Sequence, residues 1–151
     1  MRASRLLALS AAVLLLALGA GPVSAQAPIK VGDINSYSGI GAPFTGPYRA
    51  GVEMAVEEIN AKGGVLGRKL EVVFRDDKGQ PAEAVKHAQE LVESDKVVMI
   101  TGSFLSNVGL AVSDWAKQNK TMFLPAEALT EALTWSKGHD HAVRLRPNTY
   151  E

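Results

Sequence analysis

Between Ile29 and Leu145 the hydrophobic pattern changes period again and again, and this alternation restricts the fold more than any other feature of the chain. Ile29 to Asn35 (IKVGDIN) is short and bounded by turn residues, so it reads as a strand. A Gly/Pro-rich loop from Ser36 to Gly46 follows, with Pro47 suited to the first turn of a helix. In that helix Val52, Ala55, Val56 and Ile59 fall on one stripe, and the stripe stops at Lys62-Gly63-Gly64. Leu70 to Phe74 reads as a second strand, ending at Asp76-Asp77. Pro81 opens a second helix that turns Val85, Ala88 and Val92 inward.

Val97 to Thr101 is a third strand, so uniformly apolar that it fits a strand covered on both faces. Val108, Ala111, Val112 and Trp115 mark a third helix, Thr121 to Leu124 a fourth strand, Glu127 to Trp135 a short fourth helix, and Ala142 to Leu145 a fifth strand. Strictly alternating strands and helices with short connections imply right-handed crossovers. The expected fold is therefore α/β, an open parallel sheet with helices on both faces. Ligands of such sheets sit outside the carboxyl ends of the strands. The segments Ser36–Gly46, Gly102–Asn107 and Pro125–Ala128 should share that rim.

The first 25 residues have a different character. Arg2 and Arg5 precede the apolar run Leu6 to Leu18, and small residues from Gly21 to Ala25 offer a cleavage point, the layout of a secretory signal peptide. The apolar core is shorter than the roughly 18 residues a membrane span needs, so cleavage after Ala25 and a mature chain from Gln26 are expected. That mature part suffices for one domain of ordinary size but is short for two. Once the two leader arginines are removed, acidic residues outnumber basic ones by two, with signs mixed, and no basic patch suggests nucleic acid. Cysteine is absent, which excludes a disulfide framework and a lipid-modified cysteine at the cleavage site. A soluble periplasmic protein is the expectation.

The stretch VVMITGSFLSNVG, Val97 to Gly109, carries two serines at the rim. A nucleophile elbow needs G-x-S-x-G, which neither Ser103 nor Ser106 supplies. Ser106 is instead placed to cap the third helix, its hydroxyl accepting a backbone N–H. Capping is compatible with binding, because helix N-terminal amides and the positive end of the dipole attract a carboxylate to which a hydroxyl can add a donor.

The run from Ser36 to Ser106, with Glu58-Ile59-Asn60, Gly63-Gly64, Gly67-Arg68, Asp76-Asp77 and Gly102-x-x-x-Ser106, resembles the type I periplasmic solute-binding proteins of ABC importers, in the branch that binds leucine, isoleucine and valine. The likeness extends over nearly all of Ile29 to Tyr150. It implies two α/β lobes closing on a small-molecule ligand, an amino acid or small carboxylate, and delivery to an ABC permease in the inner membrane, without catalysis or cofactor. By the same resemblance Ser106 matches the serine that holds the ligand head group, Phe104 lines that turn, Phe44 covers the ligand from the first loop, and Ala126 and Ala128 belong to the next rim segment. Ala128 departs from the pattern, since amino-acid binders usually carry Thr or Ser there. A charge-assisted hydrogen bond contributes about 1.5–3 kcal/mol, so its loss would shift preference toward another carboxylate, aromatic or aliphatic. Neighbouring Glu127 could reach a cationic group, though a solvated glutamate at a helix start is the plainer reading.

Other features are weaker. Gly39-x-Gly41 and Asp76 loosely suggest a dinucleotide-binding enzyme, but Pro43 and Pro47 interrupt the turn and Asp76 lies too far downstream, which leaves Asp76 as a loop-ordering residue. His139-Asp140-His141 lacks metal-site spacing and reads as a solvated turn. His87 should be exposed, and Trp115 and Trp135 should pack. A sensor domain of the same fold is a further alternative to the importer subunit.

The segment VRLRPNTY corresponds in the family to the approach to the crossover between lobes, so residues 26–151 are expected to form the first segment of the N-terminal lobe, truncated near that crossover. Micromolar affinity requires about 8 kcal/mol, whereas a helix terminus and one charged hydrogen bond offer about 2–5 before ordering costs. One wall of a cleft alone should bind no amino acid tightly, and apolar surface should be exposed where a returning segment packs.

Overall fold

The computed structural model describes residues 26–149, and the leader 1–25 lies outside the described residues. The chain forms strand β1 (Ile29–Asn35), helix α1 (Ala42–Ala61), strand β2 (Leu70–Asp76), helix α2 (Pro81–Glu93), strand β3 (Ile100–Gly102), helix α3 (Ser106–Asn119) and strand β4 (Phe123–Pro125). Short 3-10 turns stand at Gly39–Gly41 and Glu131–Leu133. All strand pairs are parallel, in the order β2-β1-β3-β4. The expected open parallel sheet is present.

Alternation along β1 divides the sheet into two faces. Ile34 faces α2 and α3, where it joins Ala84, Ala88, Leu91, Ile100, Val108, Val112, Ala116 and Phe123 in a fully buried core. Gly32 lies on the same face, because a Cβ there would meet the Leu91 side chain. Asp33 points to the opposite face, where it meets Tyr48 of α1. Helices thus cover both faces, but among the described residues only the α2/α3 side has a continuous apolar core. On α1 the sole fully buried residue is Thr45, and Met54 is 70% exposed.

β2 is an edge strand whose open side is partly closed by its own chain. Asn60, at the end of α1, donates Nδ2 to the Leu70 carbonyl and accepts the Leu70 N–H, both at 2.8 Å. The amide side chain acts as a one-residue neighbouring strand, a local protection against edge-to-edge pairing.

Several boundaries differ from the sequence expectation. α1 begins at Ala42, inside the anticipated loop, so Pro47 sits within the helix and not in its first turn. The cause is Thr45, whose buried hydroxyl donates to Ser36 O at 2.8 Å and draws the loop into helical geometry early. Pro43 fills the second helical position, where no N–H partner is needed. Ala55 is exposed, while Val52, Val56 and Ile59 are half-buried. On α2 the inward stripe is Ala84, Ala88 and Leu91, with Val85 and Val92 at its margins.

The fourth helix is not formed beyond the 3-10 turn at Glu131–Leu133. Backbone carbonyls that a helix would use are engaged elsewhere: Leu129 O accepts from Thr149 N, and Thr130 O from Arg144. The fifth strand reduces to a single parallel bridge, Phe123 to Ala142. Phe123 N bonds His141 O at 2.8 Å and Val143 N bonds Phe123 O, but the next bond, Leu145 N to Pro125 O, is stretched to 3.5 Å as the segment diverges. β3 is also shorter than Val97–Thr101, and Val98 is 61% exposed.

Candidate functional site

The carboxyl ends of β2, β1, β3 and β4 are tied to one another by main-chain bonds that continue past the strands. Ser103 N donates to Ile34 O at 2.7 Å, Ala126 N to Gly102 O at 2.9 Å, and Asp77 N to Asn35 O at 3.0 Å. The three rim segments therefore lie side by side. Gly102 makes this possible: its φ is +107°, and a Cβ would run into the Ile34 carbonyl. Ser103 follows with φ +67°, so the chain turns sharply from β3 toward α3.

At the head of α3 the cap position belongs to Leu105, in extended conformation, and no side chain caps the helix. Ser106 is one residue inside, so the expected side-chain cap is not formed; Gly109 N to Leu105 O at 2.9 Å is the first bond of the helical ladder. The amides of Ser106, Asn107 and Val108 precede it and have no partner within the helical ladder; Ser106 and Asn107 reach the surface, whereas Val108 is fully buried. Ser106 is half-exposed at this turn. Ser103 is fully buried, and its hydroxyl has no hydrogen-bond partner.

Phe44, in the first turn of α1, stacks on Phe104, with ring centroids 5.1 Å apart and planes 15° from parallel. Phe44 keeps 60% of its surface exposed. The structure thus unites two residues from separate rim segments. Ala126 is half-buried, and Ala128 is fully buried, its methyl 2.9 Å from where a Cβ on Gly109 would stand.

Behind the rim lies a polar layer that the sequence reading did not anticipate. Asp33 is fully buried and accepts hydrogen bonds from Tyr37 Oη at 2.6 Å and Tyr48 Oη at 2.7 Å. Burial pushes its carboxyl up to about 6, against the lowering effect of the two tyrosine bonds. Both phenols are pushed up as well, first by burial and then by the Asp33 charge. A charge within the apolar pattern IKVGDIN was the available signal: a carboxylate in a strand covered on both faces must find partners or protonate.

Glu127 is nearly buried and accepts from Asn35 Nδ2 at 2.7 Å, which overturns the expectation of a solvated glutamate at a helix start. No helix starts there, so the side chain turns inward. Ser36 Oγ donates to Asp77 at 2.7 Å, and Asp77 also accepts from Gly79 N. Asp76 orders the loop as expected, accepting from Ser38 N and Lys78 N.

The histidines are placed differently from the reading. His139 contacts Ser113 Oγ at 2.9 Å and Ser113 O at 3.0 Å through Nε2, while Nδ1 accepts from His141 N, so it holds its turn against α3 and is not a solvated residue. His87 is largely buried and bonds Glu90 at 3.1 Å. Trp115 packs on the core, but Trp135 is 69% exposed because the helix meant to seat it is absent.

A periplasmic binding protein family model matches residues 28–151. A Leu/Ile/Val-binding protein homologue from Brucella abortus is 36% identical over 142 residues, covering 94% of this chain and 34% of its own length. Among solved structures, the branched-chain amino acid transporter substrate-binding protein LivJ from Streptococcus pneumoniae, in complex with isoleucine, superposes with a TM-score of 0.73 at 30% identity, covering 80% of this chain and 34% of that one. A solute-binding protein of an ABC transporter from R. palustris, in complex with 4-hydroxybenzoate, gives a TM-score of 0.71 at 30% identity, covering 80% and 32%. The chain spans about a third of the length of these relatives.

Proposed function

The chain belongs to the periplasmic binding protein family, and on that footing we propose that it supplies the ligand-capturing N-terminal lobe of an extracytoplasmic solute-binding subunit of an ABC importer. The ligand is a branched-chain amino acid or a related small carboxylate, and the partner that receives it is an inner-membrane permease. The role is capture and release, without catalysis.

One observation carries the reading: the first turn of α3, with the surface-reaching amides of Ser106 and Asn107 and the Ser106 hydroxyl beside them, stands at a rim built from three strand ends. Such a turn concentrates donors and the positive helix end where a carboxylate can dock. Phe44, Phe104 and Ala126 supply the apolar surroundings, and the Ala128 segment backs them against α3. The LivJ and R. palustris relatives, with isoleucine and 4-hydroxybenzoate, support a small carboxylate as the ligand class. Residues 1–25 act as a cleaved leader that sends the protein to the periplasm.

Titration calorimetry of the full-length protein against leucine, isoleucine, valine and simple carboxylates tests the reading. Saturable micromolar binding of at least one is expected, and a folded protein that binds none would overturn it. Amino-terminal sequencing of the exported protein should begin at Gln26.

A further inference from the structure

The edge of the sheet at β2 lies away from the rim and carries a pattern that is its own complement. We propose that two copies of this protein pair antiparallel along β2, about a two-fold axis at Val73, so that the sheet continues from one copy into the other.

Which backbone groups face outward follows from bonds already made. Lys69 O accepts from Ile29 N at 2.8 Å and Asp77 N donates to Asn35 O at 3.0 Å, so the odd-numbered residues of β2 turn their N–H and C=O toward β1. Leu70, Val72 and Phe74 therefore turn theirs away from the sheet. Asn60 holds both groups of Leu70, and the Arg75 guanidinium donates to Phe74 O at 3.1 Å. Between these two plugs the N–H and C=O of Val72 and the N–H of Phe74 have no partner among the described residues. The protection that Asn60 gives the edge thus stops at its first residue.

An axis at Val73 sets Val72 opposite the partner's Phe74, and both residues face outward, as a hydrogen-bonded antiparallel pair requires. Val72 N–H then donates to the partner's Phe74 O and Phe74 N–H to the partner's Val72 O, and symmetry repeats both bonds. All three open groups are satisfied, and Phe74 O accepts a second bond on its other lone pair. The flanking pair sets Glu71 opposite the partner's Arg75, two unlike charges on the same face. Glu71 is exposed and has no ion pair among the described residues, and Arg75 already stands at the edge, 2.7 Å from Asp95.

Neighbouring registers fail. An axis at Val72 would oppose Arg75 to the partner's Lys69 and would need Leu70, whose groups Asn60 holds. An axis at Phe74 would oppose Glu71 to the partner's Asp77. On the α1 side Val72 and Phe74 line a groove with Val56, Glu53 and Glu57; Glu53 is neutralised there by Arg49 at 2.8 Å. Phe74 is held rigid beneath the Arg49 guanidinium, 4.4 Å from its ring, and edge-on to Tyr37. The occupant is a second copy because the charge order along β2 matches its own reverse. Antiparallel pairing also points the two rims in opposite directions, so each stays open.

The chain has no cysteine, so single engineered thiols report the register. Full-length Glu71→Cys and Arg75→Cys are mixed in a glutathione redox buffer and followed by non-reducing electrophoresis, since residues opposed in a non-hydrogen-bonded pair stand within disulfide reach. The mixture should cross-link at least about tenfold faster than Glu71→Cys alone. Sedimentation of wild type should show a concentration-dependent dimer, with its Kd raised at least about fourfold in Glu71→Arg. Wild type that stays monomeric up to about 0.5 mM overturns the proposal, that being the range of weak associations. A dimer that is indifferent to Glu71→Arg, or in which Glu71→Cys cross-links with itself as fast as with Arg75→Cys, overturns the β2 axis. Glu71 is exposed, so its substitutions leave the fold intact.

Discussion

Asn35 donates its Nδ2 to Oε2 of Glu127 at 2.7 Å, joining the end of β1 to the segment after β4 across 92 residues of sequence. Both side chains are buried. The bond spans the width of the rim and fixes the segment that carries Ala126 and Ala128.

Asn35→Ala should therefore destabilise the protein by about 1.5–3 kcal/mol, because it leaves a buried glutamate without its donor. Glu127→Gln, which keeps an acceptor, should cost less than half as much. Urea denaturation of the two variants provides the comparison; equal losses would mean the bond does not hold the rim.

Asp33 gives a pH dependence whose sign follows from its environment. Burial raises the folded carboxyl to about 6 from 3.8, so between those values the native state binds more protons than the unfolded chain. The contribution is fully present below about pH 4 and is lost as pH rises through 6, amounting to about 3 kcal/mol. Asp33→Asn removes this titration. The stability of wild type relative to the variant should fall by that order between pH 4 and pH 7, read from denaturant melts at each pH, and a constant difference would contradict it.

Ser106→Ala separates capping from binding. No side chain caps α3, so stability should change by less than about 0.5 kcal/mol, while carboxylate affinity falls about tenfold or more. A lowered melting temperature with unchanged affinity would assign the hydroxyl to the fold.

Gly102→Ala should cost at least about 3 kcal/mol, since both its φ of +107° and the Ile34 carbonyl oppose a methyl group. Circular dichroism melts of the variant suffice to measure it.

Leu66 is 90% exposed and holds φ +53° at the tip of the Val65–Arg68 turn. Leu66→Asn, a residue that tolerates left-handed geometry, should stabilise by about 1 kcal/mol. An unchanged or lower denaturation midpoint would show that the leucine makes contacts that offset its strain.

The sequence was most legible where one face of an element is buried by its neighbours in the chain. β1 begins and ends where the pattern placed it, and α2 opens at Pro81, because a strand's alternation and a proline's missing N–H act locally. The rim was legible for the same reason: strand ends followed by Gly102 and Ser106 define it in any parallel sheet. The pairing of Phe44 with Phe104 was not, since nothing in either segment specifies how α1 approaches the β3–α3 turn.

Local pattern alone determined the alternation of strands and helices, the parallel sheet and the rim at the carboxyl ends of its strands. Tertiary contact decided the rest: Thr45 reaching Ser36 starts α1 early, Thr149 and Arg144 take the carbonyls of Leu129 and Thr130 and prevent a fourth helix, and Asn35 draws Glu127 inside. Backbone periodicity records which side of an element is apolar, whereas a buried polar group is satisfied by whichever distant partner the fold brings within hydrogen-bond reach, and that partner leaves no mark on the local pattern.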